Sequence, residues 1–173
     1  MTTEKRSDGM TALICACHEG HTDVVQLLLK HPDVDLNAKG CYGSTPFLTA
    51  CSRGHKDIVQ LLLKQPEGKI NINAKTDCGQ TAFILACHRG QTDVVQLLLD
   101  QSNRGIDFNA KEMNGMTAFN LACGSKRVDV VELLLKHTDV IDIHVSIEDN
   151  TLLSPHMKAA LIKATNELLE NKF

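Results

Sequence analysis

The chain has 173 residues, 43% hydrophobic and 23% charged, with a formal net charge of −3. That make-up is ordinary for one globular domain with a real core, and it does not resemble the strongly basic balance of a nucleic-acid binder. No apolar run reaches the ~18 residues of a membrane-spanning helix. The start "MTTEKRSDGM" has no apolar signal core, and seven cysteines without an export signal read as reduced thiols.

In chain order, the polar start leads into "GMTALICACHEGHTDVVQLLLK" from Gly9, and the same pattern returns three times: "GSTPFLTACSRGHKDIVQLLLK" from Gly43, "GQTAFILACHRGQTDVVQLLLD" from Gly79 and "GMTAFNLACGSKRVDVVELLLK" from Gly115. A period of 34 and then 36 residues means stacked units rather than one irregular fold. Each unit opens with a glycine suited to a turn. Thr11, Thr45, Thr81 or Thr117 follows, placed to cap a helix N-terminus, an interaction worth ~1 kcal/mol. Pro46 takes the favoured first helical position. A short helix runs from there to Gly20, Gly54 or Gly90, which ends it. In the fourth unit Lys126 stands in place of that glycine, so its turn is expected to be distorted.

A longer second helix is expected from Thr22, Lys56, Thr92 and Val128, with Asp23, Asp57, Asp93 and Asp129 in the first turn to suit the helix dipole. Its "VVQLLL" stripe is too wide for one partner helix and requires neighbours on both sides. The loop that follows ends in "DLNAK", "NINAK" or "DFNAK" and, joined to the next glycine turn, is expected to form a protruding hairpin. The second and third loops carry two extra residues, which surface loops absorb cheaply. At the C-terminal end, Ser154-Pro155 reads as a helix start. One helix is expected over about 155–170, apolar at Met157, Leu161, Leu168 and Leu169, with a polar outer face as a terminal cap requires.

A unit of turn, helix, turn, helix and loop with this spacing resembles the ankyrin repeat. "TALI", "TPFL", "TAFI" and "TAFN" stand where that family has T-P-L-H, and the likeness covers roughly residues 5–145. The family histidine is replaced by Ile14, Leu48, Ile84 or Asn120, so the usual Thr–His hydrogen bond is lost and apolar packing is expected instead. The resemblance implies an all-α solenoid with β-hairpin loops. It would have four full repeats, over about 5–38, 39–74, 75–110 and 111–145, and a degenerate C-terminal capping repeat over 146–173, all in a single domain.

The segment "CACHEGH" from Cys15 to His21 poses a choice between a zinc site, a Cys/His catalytic pair and plain packing. Cys17 recurs as Cys51, Cys87 and Cys123, at the small-residue place of the repeat, while the residue after it changes to His18, Ser52, His88 or Gly124. A repeated core position with changing neighbours does not supply four converging ligands or an exposed, held thiolate. Buried thiols acting as small hydrophobes are expected, with Cys41 and Cys78 near hairpin tips as the more reactive ones. No phosphate loop, acid–base pair or nucleophile elbow occurs, so neither enzymatic activity nor a cofactor or metal is expected.

The resemblance also implies function: a non-catalytic protein-interaction scaffold whose concave face, built from hairpin tips and first helices, takes another protein or peptide. Mapped onto this chain, the candidate contacts are Tyr42, Arg53, His88, Arg89, Met113 and Met116. Tyr and Arg are over-represented in binding hot spots, and Met adapts to irregular surfaces. Lys39, Lys75 and Lys111 recur as a ladder, with Asp35, Asp77, Asp107 and Glu112 close enough to leave a weak net field. The alternatives are a recognition arm of a larger protein, or a substrate of an asparagine hydroxylase. In the latter case the family likeness points to Asn37, Asn73 and Asn109, though such an Asn is also expected to bond across its own turn. A monomer is expected, in cytoplasm or nucleus and not secreted, binding neither nucleic acid nor membrane.

Overall fold

The computed structural model describes residues 9–143 together with Pro155, Lys158, Ala159 and Ile162. The described part holds eight α-helices in four pairs: α1 (Ala12–Glu19) with α2 (Thr22–Leu28), α3 (Pro46–Arg53) with α4 (Lys56–Leu63), α5 (Ala82–Arg89) with α6 (Thr92–Leu99), and α7 (Ala118–Gly124) with α8 (Val128–Leu135). The first helices pack on one another in sequence, α1 on α3 on α5 on α7, and the second helices do the same, α2 on α4 on α6 on α8. First and second helices alike have seven or eight residues, and each second helix ends in an αR cap that runs into the loop. No helix of the described residues is long and apolar enough to cross a membrane.

The helix starts follow from the threonines. The hydroxyls of Thr11, Thr45, Thr81 and Thr117 each accept the backbone N–H three residues on, at 3.3 Å. Ile14, Leu48 and Ile84 are buried, so apolar packing does replace the family histidine there. Asn120 behaves differently. Its side-chain oxygen accepts from both the Thr117 N–H and the Thr117 hydroxyl at 2.8 Å, closing a polar box of two residues.

The turn between the helices of a pair depends on a left-handed residue. Gly20, Gly54 and Gly90 have φ of 77–81°, and Lys126 takes φ 56°. The expected distortion of the fourth turn is therefore a correction. The Arg127 N–H still donates to Ala122 O at 2.9 Å, as His21, His55 and Gln91 donate to Ala16, Ala50 and Ala86. Lys126 keeps the shape and bears the steric cost of the left-handed region.

Stacking rather than the individual helix hides the apolar stripe. Ile58, Val94 and Val130 are buried, while Val24, their equivalent in the unit with no neighbour before it among the described residues, is 40% exposed, and Leu27 is 66% exposed. Phe47, Phe83 and Phe119 run through the centre as a column of fully buried rings, each worth about 1.5–3 kcal/mol of burial. Cys17, Cys51 and Cys87 are buried in the same layer, and Cys123 is half-buried. At the C-terminal end, Pro155, Lys158, Ala159 and Ile162 are helical and Ile162 packs on the core. Met157, Leu161, Leu168 and Leu169, expected on that helix, lie outside the described residues.

Candidate functional site

The segments between pairs form short fingers, not β-hairpins, and no strand occurs among the described residues. Each finger is a tight turn: Gly40 N–H donates to Ser44 O (2.9 Å), Thr76 N–H to Gln80 O (3.0 Å) and Glu112 N–H to Met116 O (3.0 Å), and inside these the Gly43, Gly79 and Gly115 N–H groups donate to Gly40, Thr76 and Glu112 O at 2.9–3.2 Å. These bonds all lie within one turn and are not continued by further cross-strand pairs among the described residues, so no ladder forms. Adjacent fingers are tied by the Asp77 N–H donating to Tyr42 O at 3.0 Å and the Met113 N–H donating to Cys78 O at 3.1 Å. Gly43 is required here: a Cβ on it would lie 2.4 Å from Asp77 Oδ1.

The second finger turns through two consecutive left-handed residues, Tyr42 (φ 56°) and Gly43 (φ 69°), closed by the Ser44 N–H on Cys41 O. Tyr42 is 82% exposed. An aromatic residue in this backbone region carries strain, and so exposed a ring gains little burial to offset it. Met113, on the fourth unit's finger, is 74% exposed. Met116 is a correction to the expected site: it is buried, and its backbone closes the finger while its side chain turns inward. Glu112 is also buried. Its carboxylate accepts from Asn114 N–H and Nδ2 and from Met116 N–H at 2.9–3.2 Å, so it faces its own turn rather than Lys111.

Beside the fingers lie the C-terminal ends of the first helices. Arg53 and Arg89 are exposed, His88 half-buried, and Lys39, Lys75 and Lys111 exposed on the fingers. Arg53 contacts the ring of His18, whose Nδ1 is 2.7 Å from the Glu19 carboxylate. That hydrogen bond and the charge of His18 hold Glu19 below the usual carboxylate range. Arg89 makes no ion pair among the described residues. Burial, then the charges of Arg89 and Arg127, push the His88 imidazole below its ordinary value, so it is neutral at physiological pH.

Two structural ladders escaped the sequence reading. The first joins the end of one first helix to the next pair. His55 donates to His18 O at 3.2 Å, Gln91 to Ser52 O at 3.2 Å and Arg127 Nε to His88 O at 3.1 Å. These satisfy carbonyls left open at helix C-termini. The second uses the recurring asparagines, which bond to the next unit rather than across their own turn. Asn37 Nδ2 donates to Lys69 O while Asn37 Oδ1 accepts from the Asn71 N–H, both at 2.8 Å. Asn73 does the same with Gly105 O and the Asp107 N–H at 2.8 and 3.0 Å, and Asn109 with Val140 O and the Asp142 N–H at 3.1 and 2.8 Å. The recurring N-A-K was the signal for this, but it names no partner.

Burial pushes the Cys17 thiol up to about 12 and Cys123 to about 11, and Cys51 and Cys87 rise likewise. Such thiols are poor nucleophiles. Cys41 and Cys78 are exposed. Among the described residues no three His, Cys, Asp or Glu side chains converge as metal ligands. Compared with known families, residues 1–76 and 68–149 match a family model described as ankyrin repeats in three copies. No curated protein matches the chain.

Proposed function

Since the chain belongs to the ankyrin-repeat family, whose repeats are protein-interaction modules and typically non-catalytic, we propose that it is a monomeric scaffold that takes a protein or peptide on the face made by finger tips and first-helix ends. Tyr42 carries this reading. It is strained, anchored by its carbonyl to the next finger, and largely exposed. Arg53 and Arg89 flank it in the sequence of units, and Tyr and Arg anchors on a stiff support lower the ordering cost of association. Met113 extends the contact to the fourth unit, and Lys39, Lys75 and Lys111 line it. The same reading places the chain in cytoplasm or nucleus, where its thiols stay reduced. The test is affinity for a captured partner. Tyr42→Ala with Arg53→Ala and Arg89→Ala lowers it at least tenfold, about 1.4 kcal/mol, while Gln26, Gln60 and Gln96 changed to Ala on the second helices leave it intact. The reverse pattern moves the working surface to the other side.

Hydroxylation of Asn37, Asn73 or Asn109 is the second reading. All three are exposed, yet both amide atoms of each are already bonded to the next unit. A hydroxylase therefore has to open a bridge first, and mass spectrometry tests this directly: a gain of one oxygen should come faster on an unfolded peptide than on the folded chain.

A further inference from the structure

We propose that the partner segment on this face is acidic; this rests on the reading that the face binds protein. The whole chain is net −3, but its charge is unevenly placed. On the finger and first-helix face, Lys39, Arg53, Lys75, Arg89 and Lys111 are exposed against two exposed carboxylates among the described residues, Glu19 and Asp77. Glu19 is occupied by His18. Other nearby carboxylates are engaged by backbone N–H groups. Glu112 is buried in its own finger, and Asp35 and Asp107 accept the N–H of Asn37 and Asn109 in the loops. The first turns of the second helices collect negative charge, with Asp23, Asp57, Asp93 and Asp129 all exposed.

Arg89 and Lys75, both of the third unit, have no charged partner among the described residues. A guanidinium with open donors matches a carboxylate in bidentate geometry. His88 beside Arg89 stays neutral, so it adds a polar surface without repelling a further cation. Tyr42 and Met113 supply apolar contacts on fingers two units apart. The complement is an extended protein segment with Asp or Glu spaced between apolar side chains. Nucleic acid fits less well, because Asp77 stands on the central finger and Tyr42 is the one exposed aromatic ring among the described residues for stacking.

The experiment pans a random dodecapeptide library against the full chain and measures the selected peptides by fluorescence anisotropy. Selected peptides are expected to be net negative, to lose affinity as salt rises from about 0.05 to 0.5 M, and to weaken at least tenfold on Arg53→Glu with Arg89→Glu. Lys30→Glu with Lys64→Glu, which changes the net charge equally at the ends of the second helices, should leave them within twofold. Peptides that are neutral or basic yet lost on the Tyr42, Arg53 and Arg89 alanine set overturn the acidic inference and leave the face standing. Peptides indifferent to every change on this face overturn both. A labelled single-stranded oligonucleotide of equal length that competes as well as the acidic peptides overturns the choice of a protein partner.

Discussion

Replacing Asn73 by Ala tests how far the loops, and not only the helices, hold neighbouring units together. The side chain bridges two units through Nδ2 on Gly105 O at 2.8 Å and Oδ1 on the Asp107 N–H at 3.0 Å. Each such bond contributes about 0.5–1.5 kcal/mol net, and both partners are exposed enough for water to replace the lost atoms, so the lower half of that range applies. The expected loss is about 1–2 kcal/mol. For a chain of this size 1 kcal/mol moves the melting temperature by about 2–4 °C, so a fall of roughly 2–8 °C follows. Differential scanning calorimetry measures it, with Asn103→Ala as control. Asn103 is exposed and makes no side-chain bond among the described residues, and its loss should cost under about 0.5 kcal/mol. If Asn73→Ala melts with the wild type, the bridge contributes nothing. The recurring asparagine would then need another reason, and modification would gain ground.

Three further outcomes follow from the same structure. In the native chain Cys41 and Cys78 should react with a thiol reagent well before Cys17, Cys51 and Cys87, which should react only on unfolding; equal rates would mean the core opens freely. Because the folded Cys17 thiol is raised from 9.0 to about 12, the stability it confers is complete below about pH 9 and is lost as pH rises through that interval, by about 1.4 kcal/mol per pH unit; urea titrations at pH 8 and 10 should differ, and Cys17→Ala should shrink the difference without abolishing it, because the raised Cys51, Cys87 and Cys123 thiols still contribute. Lys126→Gly should stabilise by about 0.5–1 kcal/mol by relieving a left-handed backbone, whereas Tyr42→Gly should leave stability level or raised while weakening partner binding, so a Tyr42 variant that unfolds the protein would show the ring to be structural.

Helix positions were legible because they are set by short-range chemistry. A threonine three residues from a waiting N–H and a glycine at a left-handed turn act within one unit, so the sequence alone places α1 to α8 to within a residue at their starts. Contacts between units are a different matter. His55, Gln91 and Arg127 look like variable turn residues, yet each satisfies a carbonyl 37–39 residues earlier. The asparagine bridges span 31–34 residues. The expected β-hairpins are not seen because the backbone bonds of each finger stay within one turn and do not extend into a ladder. Met116 was misplaced because two of its three counterparts, Ser44 and Gln80, are polar, while the fourth unit's finger turns the longer apolar side chain inward. Lys126 shows that the turn geometry outlasts the residue that best suits it.

The central claim is that partners meet the face carrying Tyr42, and site-specific photo-cross-linking tests it most directly. The full chain would carry a photoreactive benzoylphenylalanine at position 42, or at position 26 on the outer surface of α2, and be irradiated in whole-cell extract with and without excess unlabelled wild-type chain. The account predicts a discrete adduct from position 42 that the wild-type chain competes away, and none from position 26. A competed adduct from position 26 and nothing from position 42 would contradict it.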